Sequence, residues 1–347
     1  MSIVIKQYRR HSCRFAFVVS ILALCLCGVW ALQPYRTMKY TSRSKEDAIA
    51  WQKELRARLF RILNLDDLVS RETRIPFHPK VLSSEEKEQY VLQEIEINST
   101  PARRIRVILT LPRDAESSHP AVVCIHGHGG DRHVVYDAET IYRGFARVLA
   151  EKGYVTISTD VGQHEVYENN RILMGERLWD LTRCVDYVES LPRTDKARIG
   201  CAGLSLGGEM AMWLGAMDER IAATVSSGFL TKMDQMEQNH CLCWKFDGLR
   251  ELVDFADIYC LIAPRALLCQ NGLREPPTQF YVPIAREAMQ EIKTIYKDFE
   301  QPDRVALDVH KGGHVIELPS LLVFFEKHFG QVKGTAQRGA LADTVGA

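Results

Sequence analysis

The sequence carries no excess charge of either sign: Lys+Arg and Asp+Glu both number 44. That balance argues against a nucleic-acid surface or a strongly charged partner. No internal repeat or low-complexity tract is visible, so a solenoid or repeat array is not indicated. Zinc-type spacing is also missing. His240-Cys-Leu-Cys243 has no second ligand pair at zinc spacing along the chain. His126, His128 and His133 are read as rings that hold a glycine-rich loop by hydrogen bonds. No metal is assigned and no cofactor is needed.

The first 32 residues stand apart from this even distribution. Lys6, Arg9, Arg10 and Arg14 precede Phe15–Leu32, an uncharged run, "FAFVVSILALCLCGVWAL". A basic lead followed by such a run reads as a secretory signal or a single-span anchor through residues 15–32. Val29-Trp-Ala31 offers small residues for cleavage after Ala31. Either outcome places the body outside the cytoplasm: secreted, periplasmic or membrane-anchored. Cys13, Cys25 and Cys27 fall in or beside this leader. Cys124, Cys184, Cys201 and Cys269 lie in apolar patterns and read as buried thiols. Cys241, Cys243 and Cys260 leave one disulfide open.

The chain as a whole has ordinary globular composition, 46% apolar and 25% charged. Residues 33–44 read as a polar tether. Over Lys45–Leu65, Ile49, Leu55, Leu59 and Leu63 recur at helical spacing, which predicts an amphipathic arm docked on the main domain. Tyr90–Ile97 and Arg104–Leu111 alternate as an antiparallel strand pair. Strands then alternate with helices. Strands are expected at 121–125, 155–159, 199–204, 221–226, 266–269 and 305–309. Helices are expected at 139–151, 175–190, 206–217, 283–299 and 319–329. Continuous apolar strands alternating with helices indicate an α/β fold, a mostly parallel sheet covered on both faces.

Between the strand at 199–204 and the helix at 206–217 stands Gly203-Leu-Ser205-Leu-Gly207, a Gly-x-Ser-x-Gly pattern in strand–turn–helix context. Such a turn projects the serine from the C-terminal edge of the sheet, at a helix N-terminus that favours developing negative charge. A serine hydroxyl needs a base and an orienting carboxylate. Serine, acid, histidine is the order this topology uses. Glu275 follows the strand at 266–269, and His314 follows the strand at 305–309. His310 is the weaker base candidate. Asp254 and Asp257 precede their strand and belong to the opposite edge, while Asp308 lies within its strand. Two backbone donors are expected for an oxyanion: the N–H of Leu206, and that of His128 or Gly127 in the loop His126-Gly-His-Gly-Gly130. Asp160 and His164 lie at the same edge and are candidates for lining the pocket, with Asp160 alternatively tying its loop down. Phe229–Asp257, rich in Met, Trp, Cys and Phe, reads as a lid.

"HGHGG", "GLSLGG", "APRALLCQNGLREP", "HKGGHVIE", Trp179–Val188 and "DKARIGCAG" together resemble the α/β-hydrolase fold. Within it the chain is similar to the dienelactone-hydrolase-like and acetylxylan-esterase-like branch of serine esterases, over roughly residues 88–330. The resemblance implies an ester-hydrolysing triad at Ser205, Glu275 and His314. Together with the residue patterns above this gives a domain plan: leader 1–32, tether and arm 33–88, catalytic domain 89–330, flexible tail 331–347. Two departures stand out. The acid is Glu where the branch usually has Asp, and dienelactone hydrolases proper use a cysteine nucleophile. Exported members often act on acylated plant polysaccharides, so the partner expected is an ester or acylated saccharide. Two rivals remain: a prolyl-oligopeptidase-like peptidase, for which residues 33–88 are too short to form the usual propeller, and a non-catalytic envelope binding protein on a hydrolase scaffold.

Overall fold

The computed structural model describes residues 35–70, 74–114 and 118–331. The leader and its proposed anchor, and the tail from 332, lie outside the described residues. Among the described residues no helix is long and apolar enough to cross a membrane.

Among the described residues, those from Arg36 onward form one compact unit around a nine-stranded sheet. The strands are β1 (Lys80–Glu86), β2 (Tyr90–Asn98), β3 (Arg104–Pro112), β4 (His119–Ile125), β5 (Val155–Thr159), β6 (Thr194–Leu204), β7 (Ile221–Ser227), β8 (Ala266–Gly272) and β9 (Val305–His310). Their spatial order is β1-β2-β3-β5-β4-β6-β7-β8-β9. The β1–β2, β2–β3 and β3–β5 pairs are antiparallel, and every pair from β5–β4 to β8–β9 is parallel. All seven residues of β4 are buried, as two-sided coverage requires of a central parallel strand.

β1 has no counterpart among the strands expected from pattern. Its residues, "KVLSSEE", are exposed throughout, so no apolar alternation marks them. Main-chain pairing to β2 holds the strand, and its charges suit an edge.

The N-terminal arm is docked, as its apolar stripe requires. Helix α1 (Lys45–Ile62) starts where the Ser44 side chain accepts the Asp47 N–H at 3.1 Å. It ends before Asn64, whose φ of 55° breaks the helix. Its buried stripe is Ala48, Trp51, Gln52, Leu55 and Leu59. Ile49, assigned to that stripe by spacing, is half exposed. Burying Leu55 and Leu59 contributes about 1.5–3 kcal/mol each, and Gln52 Nε2 donates to the Cys260 and Ala263 carbonyls at 2.9 and 2.8 Å. The tether is docked as well. Arg36 and Met38 donate main-chain bonds to Arg250 and Leu252, and Arg36 Nε reaches Asp257 at 2.5 Å.

Further along come α2 (Asp66–Val69), α3 (Phe145–Glu151), α4 (Leu173–Ser190), α5 (Leu206–Met217), α6 (Met233–Asn239), α7 (Leu249–Leu252), α8 (Phe255–Cys260), α9 (Val282–Asp298) and α10 (Leu318–Phe329). The helix expected from Glu139 begins only at Phe145, because Arg143 and Gly144 sit at φ 56° and 58°. The segment read as a lid folds as α6, a short 3-10 turn, α7 and α8, and seats Met233, Met236 and Trp244 in the core. Cys124, Cys184, Cys201, Cys260 and Cys269 are buried thiols, and all seven described cysteines are free.

Candidate active site

Ser205 occupies the turn between β6 and α5 with φ 63° and ψ −125°, a combination that costs an ordinary residue about 1–3 kcal/mol and persists only when its surroundings impose it. Three close backbone approaches impose it here. A Cβ at Gly203 would lie 2.2 Å from the Gly207 carbonyl oxygen. One at Gly207 would lie 2.3 Å from that of Ile125, and one at Gly208 would lie 2.4 Å from that of Ser227. The Ser205 N–H donates to the Ser227 carbonyl at 2.9 Å, which ties the turn to the end of β7.

His314 and Glu275 arrive from the loops after β9 and β8. Gly272 makes this possible: a Cβ there would lie 2.3 Å from the Gly313 carbonyl oxygen. The Leu273 and Arg274 N–H groups donate to the His310 and Gly312 carbonyls at 2.8 and 3.0 Å, so the two loops are bound to each other. The carboxylate of Glu275, almost fully buried, accepts from His314 Nδ1 at 2.8 Å. Its second oxygen, Oε2, has no partner among the described residues. The imidazole is stacked on Phe280 with centroids 5.2 Å apart and planes 12° apart. A Cβ at Gly228 would meet the His314 ring at 2.9 Å and Leu204 at 3.0 Å. The ring therefore stands at the ends of β6 and β7, on the serine's edge. His310 does not compete: its Nδ1 accepts the Gly312 N–H at 3.2 Å and closes the turn.

The loop after β4 lies against the serine, for a Cβ at Gly127 would be 3.0 Å from that of Ser205. Of the two donors considered in this loop, Gly127 is already engaged: its N–H donates to the Tyr142 hydroxyl at 2.6 Å. Among the described residues the N–H groups of His128 and Leu206 donate to no acceptor. The His126 ring holds the loop, with Nδ1 2.8 Å from the Gly127 carbonyl and Nε2 accepting the Val161 N–H at 3.0 Å. Burial lowers the His126 pKa and raises that of the Tyr142 hydroxyl, which keeps both neutral.

Asp160 ties its loop down: it accepts from the Arg132 N–H at 2.8 Å and from Nη1 at 2.7 Å. It borders a cavity of about 740 Å³ shared with Arg103, Arg106 and Asp131, whose lining includes neither Ser205 nor His314. His164 joins a different group. Its Nε2 lies 3.3 Å from Cys241 Sγ, while His128 Nε2 lies 3.2 Å from Cys243 Sγ. Sequence reasoning missed this convergence because it sought a second ligand pair by spacing along the chain. Each histidine comes instead from a separate loop. Phe280 and Tyr142 were missed too, since nothing local distinguishes an aromatic that supports a site from one that fills a core.

Comparisons with known proteins agree with this architecture. The family model for acetyl xylan esterase (AXE1) matches residues 65–238, 174 of the 347. YtaP of Bacillus subtilis (strain 168), named as a hydrolase, is 26% identical over 247 residues, covering 64% of this chain and 81% of that protein. A glucuronoyl esterase from Solibacter usitatus superposes with a TM-score of 0.63 at 18% identity, covering 86% of this chain and all of that one. An acetyl xylan esterase from Paenibacillus sp. R4 gives 0.57 at 17% identity, covering 86% and 99%. At those identities the structural likeness shows the fold, which is that of the α/β hydrolases. The family match is what replaces the peptidase and binding-protein rivals with a carboxylic ester hydrolase, and this chain belongs to the acetyl xylan esterase family.

Proposed function

We propose that the chain is an exported serine esterase that removes acyl groups, acetyl foremost, from a polysaccharide. The observation that carries the reading is the strained Ser205 at the β6–α5 turn, at the same sheet edge as the 2.8 Å His314–Glu275 pair. Ser205 Oγ attacks the ester carbonyl while His314 Nε2 takes its proton. Glu275 holds Nδ1–H and stabilises the imidazolium. The N–H groups of Leu206 and His128 receive the oxyanion, each such donor being worth about 2.7–4 kcal/mol in the transition state. His314 then protonates the departing sugar hydroxyl, and water, activated by the same imidazole, releases the acid. The family model's description, and the saccharide esterases among the structural neighbours, support the substrate class. The basic and apolar leader supports export.

The test is acetate release from acetylated xylan by the full-length chain and by Ser205→Ala. Loss of release in a variant that retains its far-UV spectrum and melting temperature supports the reading. Undiminished release by that variant overturns the assignment of the nucleophile. Turnover of uronic-acid methyl esters with acetylated xylan untouched would overturn the acetyl preference.

A further inference from the structure

His128, His164, Cys241 and Cys243 place one donor atom each within 4.8 Å of all the others. They come from three separate segments: the glycine-rich loop after β4, the loop after β5, and the lid segment between α6 and the end of the 3-10 turn after it. We propose that these four side chains form a tetrahedral His2Cys2 site for a zinc-type divalent ion, which clasps the lid to the glycine-rich loop.

The geometry favours one shared centre over two separate thiol–imidazole hydrogen bonds. Zinc holds sulfur at about 2.3 Å and imidazole nitrogen at about 2.0–2.1 Å, which puts tetrahedral neighbours roughly 3.3–3.8 Å apart. The two sulfur–nitrogen contacts, 3.2 and 3.3 Å, need only slight opening to reach that range. The His128 and His164 rings are stacked, with centroids 5.4 Å apart and planes 29° apart, and the Nε2 atom of each reaches one thiol of the Cys241–Cys243 pair. Donor chemistry fits as well. Two thiolates and two neutral imidazoles suit zinc and neutralise its charge. His240 stands outside the set: its ring packs edge-on against Phe280, and its Nδ1 is 3.2 Å from the Cys241 carbonyl.

The site adjoins Gly127, the loop residue that lies against the nucleophile. His128 supplies both a ring ligand and the unpaired N–H assigned to the oxyanion. An ion on the ring would hold that N–H in place without touching the ester. This coupling to catalysis, unlike the metal site itself, rests on the esterase reading above.

The experiment is metal analysis of the full-length chain, purified under reducing conditions and then equilibrated with zinc. One zinc per chain is expected. Cobalt(II) added to the chelator-stripped protein should give thiolate-to-cobalt charge transfer and intense tetrahedral ligand-field bands. Zinc should raise the melting temperature of the wild type but not of Cys243→Ser. Should Cys243→Ser fail to fold, His164→Ala, at an exposed position, should weaken zinc binding by more than the roughly 10–100-fold that loss of an outer-shell partner costs. Absence of stoichiometric zinc together with absence of the thiolate–cobalt band overturns the proposal, as does a resident Cys241–Cys243 disulfide found by mass spectrometry before reduction. Because these readouts do not involve ester turnover, a failed esterase assay with zinc bound would sink only the esterase reading. Normal turnover in a protein that binds no zinc would sink only the metal site.

Discussion

The Tyr142 hydroxyl lies 2.6 Å from the Gly127 backbone nitrogen and accepts its N–H in a hydrogen bond. That bond engages one of the two loop amides considered for an oxyanion. The other, on His128, has no acceptor among the described residues. Tyr142 comes from the segment just before α3, so a side chain outside the loop engages Gly127 and leaves the His128 amide as the donor proposed for the oxyanion.

Tyr142→Phe is expected to lower kcat by about tenfold with a smaller change in KM. The variant leaves the Gly127 N–H unpaired in a buried place, which costs about 1–3 kcal/mol and frees the loop to rotate. Steady-state kinetics on a chromogenic acetate ester would check this. An unchanged kcat would mean that the loop is held by His126 alone.

Glu275→Gln should lower kcat by about 10³–10⁴-fold, since an amide cannot stabilise the imidazolium and disfavours the required tautomer. Glu275→Asp is the informative companion. It restores the charge but withdraws the carboxylate by one methylene from a 2.8 Å contact, so an intermediate kcat is expected. Equal activity of the two variants would show that charge at this position is not what matters.

Gly207→Ala and Gly129→Ala separate crowding from backbone strain. The added Cβ at 207 would lie 2.3 Å from the Ile125 carbonyl, and backbone cannot give way cheaply. At 129 nothing lies within 4 Å, and the penalty is only the φ of +70°. Denaturant unfolding should show a loss of several kcal/mol at 207 and about 1 kcal/mol at 129.

Glu209, in the first turn of α5, is buried, and desolvation pushes its pKa from 4.5 up to about 8, only partly opposed by Arg177. The folded chain thus keeps a proton that the unfolded chain releases above pH 4.5. The stability this confers is complete below pH 4.5, falls as the pH rises toward about 8, and is flat beyond. The slope is at most about 1.4 kcal/mol per pH unit. Glu209→Gln should flatten it, giving a melting temperature that gains on the wild type between pH 5 and 8. Parallel curves for the two proteins would show that the carboxyl is ionised and paired.

Local pattern carried far where periodicity and topology agree. Helix α5 lies where its apolar pattern put it, and the strands around it differ from expectation mainly in length. Pattern failed where main-chain pairing or a single backbone dihedral decided the outcome. β1 is exposed on both faces, and the helix expected from Glu139 is delayed by left-handed residues at 143 and 144. Ile49 was misplaced because the buried stripe of α1 is set by what the helix packs against, not by its own spacing alone.

From the sequence by itself followed the α/β class, the serine at its strand–helix turn, and the chain order of acid and histidine, because hydrophobic period and glycine placement are local properties that survive any arrangement of distant parts. Tertiary structure alone decided that Glu275 and not another carboxylate meets His314, that Tyr142 occupies Gly127, and that two histidines and two cysteines from three loops share one point. Each of those is a contact between loops whose paths depend on the packing of the elements they join. No spacing along the chain encodes such a distance.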